Sequence, residues 1–81
     1  MSLHWFSPPV SVKTDQPGAI YNCNNVEGAA AELLKWSKRG PHWNRAVRVC
    51  MACLADQATA QEVRRVFRLA AKEEGVLREG H

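Results

Sequence analysis

Eighty-one residues with 46% hydrophobic side chains and a net charge of +3 describe one folded unit near the small end of what is stable alone, and exclude a disordered chain. No apolar run approaches the roughly 20 residues that span a bilayer, and no stretch has the layout of a signal peptide, so a cytoplasmic protein is expected. Three cysteines, an odd number, exclude a complete set of internal disulfides and fit reduced, buried thiols.

Met1-Ser2-Leu3 and Glu79-Gly80-His81 read as expression-vector remnants, which leaves residues 4–78 as the expected domain. In the first native segment Val10 and Val12 alternate with Ser11 and Lys13, the pattern of a short half-buried strand. Pro8 and Pro9 cannot donate to a ladder and belong at its start or on an edge. Trp5 and Phe6 are expected to cover one end of the core. Asp15-Gln16-Pro17-Gly18 suits a type II turn, since proline presets φ and glycine supplies φ > 0. Ala19 to Cys23 then returns as a second strand, in a register that the pattern leaves open.

Asn24 followed by Glu27 predicts a variant capping box. Val26, Ala29, Ala30, Leu33 and Leu34 follow at helical spacing with Trp36 beside them, and Lys38-Arg39-Gly40 is the expected end. Pro41 opens a second helix that runs to Asp56-Gln57. Thr59-Ala60-Gln61-Glu62 is a full capping box for a third, whose Val63, Val66, Phe67, Ala70 and Ala71 keep the apolar spacing without a miss. Gly75 ends it, with Val76 placed for the hydrophobic contact of a Schellman cap.

The second helix is the most apolar. At about 100° per residue, Trp43, Ala46, Val47, Cys50, Met51, Cys53 and Leu54 cluster on one side, with Val49 widening an arc of roughly 200°, twice that of an ordinary surface helix. It is therefore expected to lie sandwiched between its neighbours. The architecture read from the residues is α+β: a two-stranded antiparallel hairpin followed by three helices packed around the central one.

Chemistry-bearing motifs are sparse. Cys50-x-x-Cys53 lies deep within a helix, whereas a redox pair needs its thiolate near a helix N-terminus. A zinc site would need two further ligands, and only His42 and Cys23 offer themselves. Core packing is the plainer reading. His4 and His42 lie in no nucleophile elbow or triad setting, and Glu73-Glu74, adjacent on a helix, point apart. No catalytic residue, metal or cofactor is expected.

Charge is the better lead. From Lys35 to Lys72 nine basic residues face only Asp56 and Glu62, a local balance of +7. Arg64, Arg65, Arg68 and Lys72 fall within about 100° on the third helix, and Arg45 and Arg48 would extend the patch if the second helix lies alongside. A solvated face is the plain reading, an acidic protein partner the next, and nucleic acid the third, because +3 is a thin electrostatic footprint.

Val26-Glu27-Gly28-Ala29-Ala30, Leu33-Leu34-x-Trp36, Gly40-Pro41, Arg45-Ala46 with Cys50 four residues on, Ala60-x-x-Val63-Arg64 and Phe67 before Ala70-Ala71 form an ordered set. It resembles a family of short bacterial proteins, frequent in nitrogen-fixing soil bacteria and their relatives, that is catalogued as a domain of unknown function. The likeness runs from about Trp5 to Val76. It implies a compact α+β unit and brings no catalytic residue with it. The Ser37-Lys38-Arg39 link is shorter than the charged or proline-rich link usual after the tryptophan.

Two function classes follow. One is a non-catalytic interaction or regulatory module acting as a homodimer, motivated by a small core, a hairpin with free edges and three tryptophans. The other is a weak nucleic-acid binder using the Arg64–Lys72 face. No membrane role is expected.

Overall fold

A computed structural model describes residues 4–78, so the expectations about Met1–Leu3 and Glu79–His81 lie outside the described residues. The chain runs β1 (Trp5–Lys13), β2 (Ile20–Asn25), α1 (Val26–Lys35), α2 (Pro41–Leu54) and α3 (Ala60–Glu74). Two antiparallel strands followed by three helices make the expected α+β class. No helix among the described residues is long and apolar enough to cross a membrane.

The hairpin turn forms as its residues dictate. Ala19 N–H donates to the Gln16 carbonyl at 3.1 Å, and Gly18 takes the φ of +79° that the third position of a type II turn demands. The register left open by the pattern is Val10 opposite Cys23, Ser11 opposite Asn22, Val12 opposite Tyr21 and Lys13 opposite Ile20. Val10, Val12 and Cys23 are buried beneath the helices. Pairing is irregular between Val10 and Trp5, the stretch that holds Pro8 and Pro9.

β2 runs on to Asn25, which pairs with Trp5. The α1 cap therefore falls one residue later than expected. Asn25, not Asn24, accepts the Gly28 N–H on its side-chain oxygen at 2.6 Å. Gly28 lies beneath the Tyr21 hydroxyl, where a Cβ has no room. At the other end α1 stops at Lys35, short of the expected Lys38-Arg39-Gly40. Trp36 leaves in an extended conformation and stacks its ring on Phe67 at 5.3 Å between centroids. The last α1 carbonyls are taken by side chains further along. Trp43 Nε1 donates to Leu33 O at 2.7 Å, and Arg39 Nη2 donates to Leu34 O at 3.2 Å. The Arg39 guanidinium lies 4.7 Å above the Trp43 ring.

Gly40 is thus the N-cap of α2, not the terminator of α1. It has no capping side chain of its own, and one arrives from α3. The Glu73 carboxylate accepts the N–H groups of His42 and Trp43 at 3.2 and 3.1 Å, a negative charge on the positive end of a helix. Glu74 accepts those of Ser37 and Lys38 at 3.3 and 2.8 Å. The two adjacent glutamates, set aside in the sequence, stitch the end of α3 to the α1–α2 connection.

The covering of α2 corrects the reading of its apolar arc. Ala46, Cys50 and Cys53 are buried and Trp43, Val47 and Val49 half-buried, and α2 does pack on both α1 and α3. Met51 and Leu54 remain 63% and 41% exposed. Trp5 on β1 and Leu34 on α1 are exposed as well, against expectation. The most deeply seated helix is α3: Val63, Val66, Phe67, Ala70 and Ala71 are all buried, and it packs against β1, α1 and α2. An arc on a helical wheel counts apolar positions, but a small domain has only enough chain to cover part of it.

α2 ends in a Schellman arrangement, with Gln57 N–H on Ala52 O at 2.7 Å and Asp56 N–H on Cys53 O at 2.9 Å. Asp56 occupies the left-handed position at φ +61°, a conformation unfavourable by about 1–2 kcal/mol for most L-residues. Its carboxylate also lies at the negative end of the helix. Asp56→Gly is expected to raise stability by about 0.5–1 kcal/mol, seen as a higher melting temperature; a fall would contradict it. The α3 cap follows expectation: Gly75 is left-handed at φ +82°, and Val76 N–H donates to Ala71 O at 3.0 Å.

Candidate interaction surfaces

The basic row on α3 divides once side chains are placed. Arg64 is half-buried and its Nε donates to the Pro8 carbonyl at 2.7 Å. It is therefore partly a fastener between α3 and β1. Arg65, Arg68 and Lys72 are exposed. Gln61, Arg64, Arg65, Arg68 and Leu69 line a shallow depression of about 440 Å³. Arg45 and Arg48 are exposed on α2 but do not line it, and neither does Lys72.

The thiols form no open site. Cys23, Cys50 and Cys53 are free and buried. Burial, reinforced by the neighbouring Cys23 and Cys53, pushes the Cys50 thiol up to about 12. Burial also raises Cys23 and Cys53. Buried and held protonated in this way, Cys50 presents little nucleophilic thiolate at neutral pH. No cluster of three or more metal-binding side chains occurs among the described residues.

His4 is placed by Glu27, at the first turn of α1. Its Nδ1 lies 2.7 Å from Glu27 Oε2, and its backbone N–H donates to Oε1 at 3.1 Å. Burial pushes the Glu27 carboxyl up, but the hydrogen bonds from His4 outweigh it, and the net displacement is downward. With Val26 N–H on His4 O at 2.8 Å, the arrangement ties the start of β1 to the start of α1. His42 is exposed on α2.

The sheet edges are treated unequally. Lys13 N–H donates to Val76 O at 2.8 Å and Arg78 N–H to Ser11 O at 2.9 Å, with Leu77 bridged to Val12. The segment after α3 thus closes the outer edge of β1. Further along that edge, Gln61 holds both Ser7 backbone groups at 3.0 Å, and Arg64 takes Pro8 O. Since Ser11 and Lys13 face the tail, alternation turns Val10 and Val12 toward Cys23 and Tyr21. The backbone groups of Ile20 and Asn22 then point away from β1. Among the described residues no backbone hydrogen bond reaches them from that side.

Beside β2 lies a groove of about 360 Å³ lined by Thr14, Tyr21 and the α1 residues Gly28, Ala31, Glu32 and Lys35. Glu32 is the buried acid in this groove, its side chain 8% exposed and its Oε2 3.0 Å from Lys35 Nζ. Sequence reasoning passed over it, although Glu32 borders the Ala29 stripe on the wheel and has a lysine at i+3.

The pattern that defines a family described as proteins of unknown function, DUF982, matches residues 8–78. The chain belongs to the DUF982 family. For this DUF982 chain the resemblance noted in the residues holds, and the match takes in both strands from Pro8, all three helices and the strand-closing tail through Arg78. No curated protein and no solved structure matches the DUF982 chain.

Proposed function

We propose that this DUF982 protein is a non-catalytic protein-interaction module that acts as a cytoplasmic homodimer, joined by antiparallel pairing of β2 with β2 of a second copy. One observation carries the reading: the two edges of the sheet are managed differently. An open edge is a template for another strand, and proteins blunt it with charge, proline or cover. The outer edge of β1 receives all the cover described above. β2, with the sequence IYNCNN, has neither a charge nor a proline. Self-pairing about a two-fold axis uses the same patch on both copies and closes at two, giving a four-stranded sheet. Buried free thiols suit a reducing compartment.

Light scattering is expected to give a dimer at tens of micromolar. Asn22→Pro removes an outward N–H and no internal one, so it is expected to give a folded monomer by circular dichroism. A wild-type monomer at that concentration would refute the proposal.

The second reading, weak nucleic-acid binding, has the arginine-lined depression on α3 in its favour. Because Arg64 also fastens β1, the discriminating variant is Arg65→Glu with Arg68→Glu. Loss of salt-sensitive retention on DNA or RNA would support this reading, and indifference would remove it.

A further inference from the structure

We infer that the dimer is completed by α1 packing antiparallel on α1 of the second copy, with each Lys35 reaching the Glu32 carboxylate of the other. The inference rests on the β2 pairing proposed above. α1 packs on β2, while α3 packs on β1. A two-fold axis beside the outer edge of β2 and perpendicular to the sheet therefore brings the two copies of α1 side by side on one face.

The surface that α1 turns to the groove is suited to that neighbour. Gly28, Ala31, Glu32 and Lys35 stand at i, i+3, i+4 and i+7, one face of a helix. Gly28 is covered by the Tyr21 hydroxyl, but Ala31 is small and exposed, so a second helix can approach closely there. The other two are a carboxylate and an ammonium, which makes the face complementary to its own antiparallel copy. Glu32 is the unusual member. A buried carboxylate is unfavourable unless it is well partnered. Among the described residues its ion-pair partner is Lys35, itself 63% exposed, at Oε2. Both members of this pair line the groove. A second ammonium, from Lys35 of the other copy, would add to this ion pair and exclude water from the groove.

Charge exchange tests the contact, with dissociation constants measured by sedimentation. Lys35→Glu sets a new carboxylate against Glu32 across the axis and is expected to weaken the homodimer tenfold or more. Glu32→Lys does the same with two ammonium groups. Mixing the two variants restores an opposite charge at both contacts, so the heterodimer is expected to form in preference to either homodimer. Should Glu32→Lys fail to fold, Ala31→Arg, at an exposed position, carries the test: it is expected to weaken association at least tenfold with an unchanged far-ultraviolet spectrum. If Asn22→Pro gives a monomer while Ala31→Arg and Lys35→Glu dimerise as wild type, the strand pairing stands and the helix contact is refuted. If wild type is monomeric, or is dimeric and indifferent to all these changes, both fall.

Discussion

Phe67→Ala is expected to remove about 3–5 kcal/mol of stability, the cost of emptying a large aromatic site in a packed core. Phe67 is 0% exposed, and its ring lies under Trp36 at 5.3 Å. It belongs to α3, the helix that touches β1, α1 and α2, so the cavity opens where all the layers meet. Trp36 ends α1 and leads into the connection held by Glu74. Loss of its stacking partner is transmitted to that connection. Against a total of about 5–15 kcal/mol for a domain, this is a large share, and the variant should melt at a clearly lower temperature. Phe67→Leu, which keeps most of the volume, should cost less than half as much. Urea titration followed by tryptophan fluorescence measures both; a loss below about 1 kcal/mol for the alanine variant would mean that the core is centred elsewhere.

Native Cys50 is expected to resist alkylation almost completely. Two effects act in the same direction. Its thiol is moved from the ordinary 9.0 to about 12, which lowers the thiolate fraction at neutral pH about a thousandfold. It is also 1% exposed, so the reagent must wait for an opening of the fold. Iodoacetamide at pH 8, followed by peptide mass spectrometry, should label Cys50 only at the rate at which the core opens, and fully in denaturant. Labelling of the folded chain at the rate of a free thiol would overturn the structural role given to the Cys50-x-x-Cys53 pair and reopen the question of chemistry there.

Local order was legible where the residues act on their own neighbours. Pro17-Gly18 specify the turn, Thr59 caps α3 through the Glu62 N–H at 3.2 Å, and Gly75 closes it. The apolar stripe of α3 became the core without a miss. Where a second element competes, the reading slipped. The α1 cap moved to Asn25 because β2 goes on pairing with β1. The end of α1 moved back to Lys35, where Trp36 leaves the helix to stack on Phe67. The candidate basic face was legible as a row of charges, but not that Arg64 is drawn onto Pro8 O.

By itself, the amino-acid order determined the class of fold, the order of strands and helices, and the buried face of α3. These follow from backbone and solvent preferences that act over a few residues. Tertiary structure alone decided which sheet edge is closed, that Glu73 and Glu74 hold the α1–α2 connection from 30 to 37 residues away, and that Met51 stays in water while Glu32 does not. Those outcomes depend on which groups come within a few ångströms of each other across long stretches of chain, a distance that spacing along the sequence does not encode.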